Sequence, residues 1–84
     1  MLTPDLLRRS GEALHGTEEW RHALARTLGE HHPEGPRESL DPRRMARWSS
    51  GQREIPEWVG PVLARLLRER AAEAADIARE IEGG

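Results

Sequence analysis

The chain has 84 residues and a net charge of −2, which is enough for one small domain with a single hydrophobic core. It contains no cysteine, which excludes a disulfide framework and a thiolate zinc site. No apolar run approaches the roughly 20 residues that span a bilayer, and no signal-peptide pattern is visible, so we expect one soluble, cytoplasmic domain over residues 1–84.

The first predicted helix covers residues 4–14. Thr3-Pro4-Asp5 combines an N-cap, a first-turn proline and an acid near the positive end of the helix dipole. Leucines then recur at helical spacing as far as Leu14. Gly11 lies inside this segment and costs about 1 kcal/mol relative to alanine. We interpret it as local weakness, with a close contact between helices as the alternative.

A second helix is predicted over residues 18–28. Thr17 followed by two glutamates resembles an N-cap with acids in the first turn. The apolar stripe of this helix consists of Trp20, Ala23, Leu24 and Leu28. Gly29 is expected to end the helix with a positive φ. Proline, glycine and charged residues without apolar periodicity follow, which predicts an extended loop over 30–40.

The third predicted helix, over residues 42–50, is short and basic. Asp41 is a favourable N-cap, proline suits the first helical position, and Gly51 follows the last turn. At about 100° per residue, Met45 and Trp48 share one face, which predicts that they anchor the helix to the core. The three arginines of this helix, Arg43, Arg44 and Arg47, spread over the remaining faces.

Charge is segregated along the chain. Residues 37–53 contain five arginines and two acids, whereas residues 54–84 contain seven acids and four arginines. All 13 basic residues are arginine, whose planar guanidinium suits phosphate and guanine. The middle of the chain is therefore the predicted contact region for an anionic partner, despite the negative net charge.

The last predicted helix covers residues 61–82. Pro61 fits the first turn of a helix that begins near Gly60, with a separate short turn over 56–59; one kinked helix is the alternative. Positions 4-3-4-3-4 apart approximate a heptad seam with one polar break at Arg70. We predict a dimer interface along the apolar positions of this seam, which are Leu63, Leu67, Ala74, Ile77 and Ile81.

Three segments together resemble a known family. They are Leu24-Ala25-Arg26-Thr27-Leu28-Gly29, the run from Arg44 to Gly51, and Ile55-Pro56. The chain resembles helix-turn-helix regulators of the lambda repressor and Cro type, also called XRE-like, over about residues 17–60. It departs from the family by about ten inserted residues, Glu30 to Ser39, in the turn, and by Arg21 where the family often has glutamine.

The resemblance implies an all-α fold, a small helix-turn-helix domain of four to five helices with a long C-terminal helix. It implies a bacterial or phage transcriptional regulator, a repressor that binds an inverted repeat of double-stranded DNA as a homodimer. The helix over 42–50 would enter the major groove with Arg43, Arg44 and Arg47 reading bases. The expected phosphate contacts are Arg21, Ser49, Ser50, Gln52 and Arg53.

Other chemistries have less support in the sequence. His31-His32 with nearby glutamates could suggest zinc, but adjacent histidines in a Pro/Gly loop rarely converge on one ion, so no metal site is predicted. No catalytic arrangement, cofactor motif or small-molecule substrate site is recognised, and no enzyme activity is expected. The alternative function is a small protein-binding inhibitor or antitoxin-like module that reuses the same scaffold, since the chain is acidic overall.

Overall fold

The computed structural model describes residues 1–83, and within that range the fold is entirely helical. Its four helices are α1 (Pro4–His15), α2 (Trp20–Glu30), α3 (Pro42–Ser50) and α4 (Val59–Gly83). The all-α class is as expected, and α3 has the predicted boundaries. None of these helices is long and apolar enough to cross a membrane.

α1 begins and ends as its capping residues predict. The Thr3 hydroxyl accepts a hydrogen bond from the Leu6 N–H at 3.1 Å, which satisfies one of the N–H groups that a helix leaves unpaired. At the other end Gly16 adopts φ 89°, and its N–H donates to the Glu12 carbonyl at 2.8 Å. The positive φ makes glycine the suitable residue there.

α2 begins and ends two residues later than predicted. Thr17 is not its N-cap: the residue before the helix is Glu19, which has φ 55° and makes no side-chain capping bond. The helix also continues past Gly29, which is not among the positive-φ residues. The expectation that Gly29 ends the helix is therefore wrong, and the reason for a glycine lies in the loop packed against it.

That loop is fixed to α2 by backbone contacts. A Cβ added to Gly29 would lie 2.9 Å from the Arg37 carbonyl oxygen and 3.0 Å from the Ser39 Cα, too close for any side chain. The Arg37 N–H donates to the Gly29 carbonyl at 2.8 Å, and the Leu40 N–H donates to the Ala25 carbonyl at 3.0 Å. These bonds tie the extra residues to α2, so α3 starts from a fixed point although the turn is long.

A second glycine permits α1 and α2 to pack closely. Gly11 is buried, and a Cβ at this position would lie 2.3 Å from the Trp20 Cε3. The indole, itself 4% exposed, therefore occupies the space above the glycine. The interpretation of Gly11 as local weakness is wrong, and the alternative of a close contact between helices is correct.

One hydrophobic core joins the helices. It contains two of the three tryptophans, while Trp58 is half-buried at its edge. The buried apolar residues are Leu7, Leu14, Trp20, Leu24, Ala25, Leu28, Leu40, Met45, Trp48, Val59 and Leu63. α1 packs against each of the other three helices, and α2 packs against α3.

α4 begins in the way that Pro61 allows. A turn at residues 57–58 precedes the helix, and the Val59 N–H donates to the Pro56 carbonyl at 3.1 Å. The proline occupies the first turn, where a missing N–H costs nothing. The separate-turn alternative is therefore correct. Only the first nine residues of α4, 59–67, pack on the core, since every residue from 68 to 83 is exposed.

Candidate nucleic-acid interface

α3 is capped at both ends by residues that the sequence supplies locally. The Asp41 carboxylate accepts a hydrogen bond from the Arg43 N–H at 2.9 Å, and Pro42 opens the helix. Gly51 adopts the left-handed conformation with φ 80°, and its N–H donates to the carbonyls of the last turn. A helix of nine residues is marginal alone, so these caps and its packing hold it in place.

The inner face of α3 is held by two side chains. Met45 is fully buried and Trp48 is 5% exposed, and both belong to the single core. This confirms the predicted anchor. Because the two residues are three apart, the opposite face of the helix points to solvent.

The arginines of α3 occupy the solvent side. Arg43 and Arg47 are four residues apart and lie one above the other on the outer face, and Arg44 lies about 100° around the helix from Arg43. All three residues are exposed. Within residues 1–83, only one of them lies within 4.0 Å of a carboxylate, and that pair, from Arg43 Nε to Asp41 Oδ1, is long at 3.9 Å. The other guanidinium groups have no acidic partner there.

Three of the expected phosphate contacts lie at the C-terminal end of α3. The Ser50 hydroxyl donates to the Arg47 carbonyl at 3.2 Å, and the Gln52 and Arg53 N–H groups donate to the same oxygen at 3.0 and 3.3 Å. All three side chains are exposed. The backbone therefore turns sharply at Gly51 and keeps Arg53 next to the last turn of the basic helix.

Ser49 does not fit its expected role. Its hydroxyl oxygen is enclosed and has no hydrogen-bond partner in the structure, so in this conformation it does not face solvent, where a phosphate would bind. The reason is its position four residues after Met45, which places it on the core side of α3. The spacing of Ser49 from Met45 is visible in the sequence, and it predicts that Ser49 is more buried than the neighbouring Ser50.

Arg21 lies on α2 rather than on the α3 segment. It is exposed in the first turn of that helix, and its guanidinium carbon is 4.8 Å from the centre of the Trp20 ring. This cation–π contact supports the guanidinium from below while its donors stay open to solvent. α2 packs directly on α3, so Arg21 lies on an element adjacent to the basic helix.

The loop histidines and glutamates have contacts of their own. His31 Nδ1 lies 2.9 Å from Arg65 Nη2 on α4, and the His32 ring packs edge-on to Trp58 with centroids 5.4 Å apart. Glu34 forms a long pair with Arg37 at 3.9 Å. Within residues 1–83, no three His, Cys, Asp or Glu side chains converge to hold a metal ion, and no loop glutamate lies within 4.0 Å of an α3 arginine.

The predicted dimer residues do not share one environment. Leu63 is 2% exposed inside the core of its own chain, so it has no surface to give to a partner. Leu67 is half-buried at the edge of the core. Ala74, Ile77 and Ile81 are exposed, the last two at 49% and 76%. The seam is therefore available only from its middle to its C-terminal end.

Comparison with protein families, curated proteins and solved structures finds no match for this chain. The feature of this fold that bears on function is the basic helix α3, with its caps, its buried anchor and its exposed arginines.

Proposed function

We propose that this protein is a sequence-specific, duplex-DNA-binding transcriptional regulator that represses as a homodimer on an inverted repeat. In this proposal α2 and α3 are the two helices of a helix-turn-helix, and α3 is the recognition helix. The observation that carries it is the short capped helix with two buried anchors and three exposed arginines. A short basic helix of this size fits the major groove, which is about 12 Å wide.

Base reading is assigned to the three arginines of α3. An arginine can donate two hydrogen bonds to O6 and N7 of guanine, the commonest base-specific contact of a protein side chain. Arg43 and Arg47 would face the floor of the groove, and Arg44 would reach bases toward one wall. The weak pairing of these groups within the chain supports this role, because little must be broken before they bind DNA.

Phosphate contacts are assigned to residues that flank the recognition helix. Arg53 follows the α3 C-terminus, and Arg21 lies in the first turn of α2. Ser50 and Gln52 supply neutral donors beside Arg53. Contacts of this kind fix the register of a protein on DNA without reading sequence.

The dimer is part of the proposal because one recognition helix covers only a few base pairs. Useful specificity normally needs two half-sites about one helical turn apart, roughly 34 Å, related by the two-fold axis of the protein. The exposed C-terminal part of α4 is the proposed contact between the subunits.

Salt dependence of binding tests the DNA proposal. On duplexes of random sequence, we expect affinity to fall linearly with salt on a double-logarithmic plot. Replacing Arg53 by alanine removes two charges from a dimer and should reduce the slope by about 2. Arg8→Ala is the matched control, because Arg8 already pairs with Asp5 and Glu12 at 2.8 and 3.0 Å. Equal slopes for both variants and the wild type would contradict the proposal.

A protein-binding inhibitor or antitoxin-like module is the second candidate. The observation that favours it is the exposed, acidic C-terminal half of α4, together with the net charge of −2. This function predicts no salt-dependent binding to duplex DNA and no effect of the α3 arginines on target recognition. The same titration therefore separates the two candidates.

A further inference from the structure

The inner face of α4 continues beyond the hydrophobic core. Val59 and Ile77 are 18 residues apart, and so are Leu63 and Ile81, which equals five full turns at 3.6 residues per turn. Ile77 and Ile81 therefore point in the same direction as two buried core residues, but they are 49% and 76% exposed. The helix projects beyond the domain with an apolar face that no other part of residues 1–83 covers.

Where α4 begins to extend past the core, a polar contact attaches it to α1. Arg70 Nη1 donates to the Leu14 carbonyl oxygen at 3.2 Å. Arg70, the polar residue that interrupts the seam, therefore binds the last turn of α1 in its own chain. Residues 71–83 extend past it by about 20 Å at 1.5 Å per residue.

A groove lies beside the same helix, between α1 and α4. It has a volume of about 570 Å³, and the residues that line it are Leu6, Arg9, Ser10, Glu12, Ala13 and Leu67. Leu6 is 39% exposed, so it is one of the few large apolar side chains that the chain leaves open to water. The adjacent leucines of α1 explain this, because Leu7 faces the core and Leu6 therefore points away from it.

We propose that a second copy of this chain fills the groove, through reciprocal antiparallel packing of the two α4 helices. The partner subunit's Ile81 enters the groove beside Leu6 and Leu67, and the same contact is repeated across the two-fold axis. Pairing of residue 81 with residue 67 places the axis near Ala74. The arrangement covers Leu6, Ile77 and Ile81 in both subunits, which are exposed in the single chain.

Charge favours the antiparallel orientation over the parallel one. Residues 65–70 contain three arginines and one glutamate, whereas residues 73–82 contain four acids and one arginine. Antiparallel helices set the acidic end of one α4 beside the basic part of the other, and Arg68 lies near the partner subunit's Glu82. Parallel helices would place the two acidic ends side by side, which is unfavourable. Neither Arg68 nor Glu82 has an ion-pair partner within residues 1–83.

This inference rests on the homodimer of the proposed function but requires no DNA, so the two can fail separately. Because the chain contains no cysteine, single cysteines can report the packing directly. A mixture of the Ile81→Cys and Ala13→Cys full-length variants should form a disulfide-linked heterodimer on mild oxidation. Ile81→Cys alone should not, since the two copies of residue 81 would lie about 21 Å apart and a disulfide needs Cα atoms within about 7 Å.

Ala72→Cys is the matched control, because residue 72 is exposed on the opposite face of the same helix. It should cross-link neither with itself nor with Ala13→Cys. Efficient self-linking of Ile81→Cys would overturn the inference in favour of parallel helices. Failure of the Ile81 and Ala13 pair to link would overturn it as well.

Sedimentation of the uncross-linked protein gives a second readout. Ile77→Lys with Ile81→Lys should weaken dimerisation at least about a hundredfold, whereas Ala72→Lys should leave it unchanged. Both isoleucines are exposed in the single chain, so the double variant should keep its helical content. A wild-type monomer, or a double variant that dimerises like the wild type, would overturn the inference. A wild-type dimer that fails to bind DNA would instead contradict the proposed function.

Discussion

Arg44 is the residue at which base recognition can be tested most simply. It is exposed on α3 and has no acidic partner within residues 1–83, so its removal should leave the fold unchanged. We expect Arg44→Ala to lose the preference for one base pair in each half-site, a loss of roughly 1 to 3 kcal/mol of discrimination. Competition between single-base variants of the binding site measures this. Unchanged selectivity at every position would exclude Arg44 as a reader.

His15 is expected to make the stability of the domain depend on pH. Partial burial lowers the pKa of its imidazole below 6.5, and the positive charges of Arg70 and Arg26 lower it further. The Thr27 hydroxyl donates to the Ala23 carbonyl at 3.1 Å, so its oxygen can accept from His15 Nε2–H at 3.1 Å, a bond that both the neutral and the protonated ring can make. The folded state therefore disfavours a protonated His15.

The direction of the pH effect follows from linkage. The unfolded chain takes up a proton at His15 near pH 6.5, whereas the folded chain does so only at lower pH. The contribution of His15 to stability should therefore be fully present above pH 6.5 and be lost as the pH falls from there through the lower pKa of the folded chain. Urea unfolding of His15→Gln across this range should show a smaller fall than the wild type. Equal falls in the two proteins would contradict the account.

Gly29 is expected to resist substitution because of its neighbours. An alanine Cβ would press on the backbone of Arg37 and Ser39, which cannot move without breaking the bonds between loop and α2. We expect Gly29→Ala to lower the free energy of unfolding by about 1 to 2 kcal/mol, in spite of the better helix propensity of alanine. Gly60→Ala, whose nearest neighbour is 3.9 Å away, should change it by less than about 0.5 kcal/mol. Thermal unfolding of both variants measures the difference.

Among the elements, α3 could be predicted from its sequence because its determinants are local. Asp41, Pro42 and Gly51 bound the helix, and the spacing of Met45 and Trp48 identifies its buried face. The predicted bounds of α2 were two residues too early because Thr17 resembles an N-cap. In the structure the residue before the helix is Glu19, with φ 55°.

The roles of two glycines could not be decided from the sequence, because each depends on residues elsewhere in the chain. Trp20 lies over Gly11, and the loop backbone at Arg37 and Ser39 lies over Gly29. A sequence pattern records which residue is small but not what approaches it. The boundaries of helices are therefore easier to infer than the contacts between them.

At the scale of the element, two substitutions at Asp41, the N-cap of α3, test stability and DNA binding separately. Asp41→Ala removes the bond to the Arg43 N–H and should cost about 1 kcal/mol of stability. Asp41→Asn keeps an oxygen acceptor but removes a negative charge near the proposed phosphate backbone. We therefore expect Asp41→Asn to fold like the wild type and to bind duplex DNA more tightly. Chemical unfolding and DNA titration of both variants test this, and weaker binding of Asp41→Asn would count against the proposed orientation of α3.

At the scale of the whole molecule, the sequence does not show how far α4 extends beyond the domain body. The heptad-like spacing runs from Leu63 to Ile81 without interruption except at Arg70, and nothing in it shows where the domain body ends. In the structure Leu63 is core and Ile81 is exposed, in a molecule that measures 48 × 26 × 23 Å. Of the positions predicted for the dimer interface, Leu63 therefore belongs to the core of its own chain, whereas Ile77 and Ile81 are exposed.

Dimerisation and DNA binding should be coupled if each subunit reads one half-site. Ile77→Lys with Ile81→Lys should weaken binding to a full inverted repeat far more than binding to an isolated half-site, because the two helices no longer bind as one unit. Leu67→Asp is less informative, because Leu67 packs against the core and its loss also affects folding. Equal weakening on both DNAs would separate α4 from operator recognition.

The central claim is that the capped basic helix reads duplex DNA. Selection of binding sites from a randomised duplex library, at two salt concentrations, tests it most directly. The account predicts an enriched inverted repeat whose affinity falls as salt rises, with loss of enrichment when Arg43, Arg44 and Arg47 are replaced by alanine. No enrichment and no salt-dependent binding by the wild-type protein would contradict the claim.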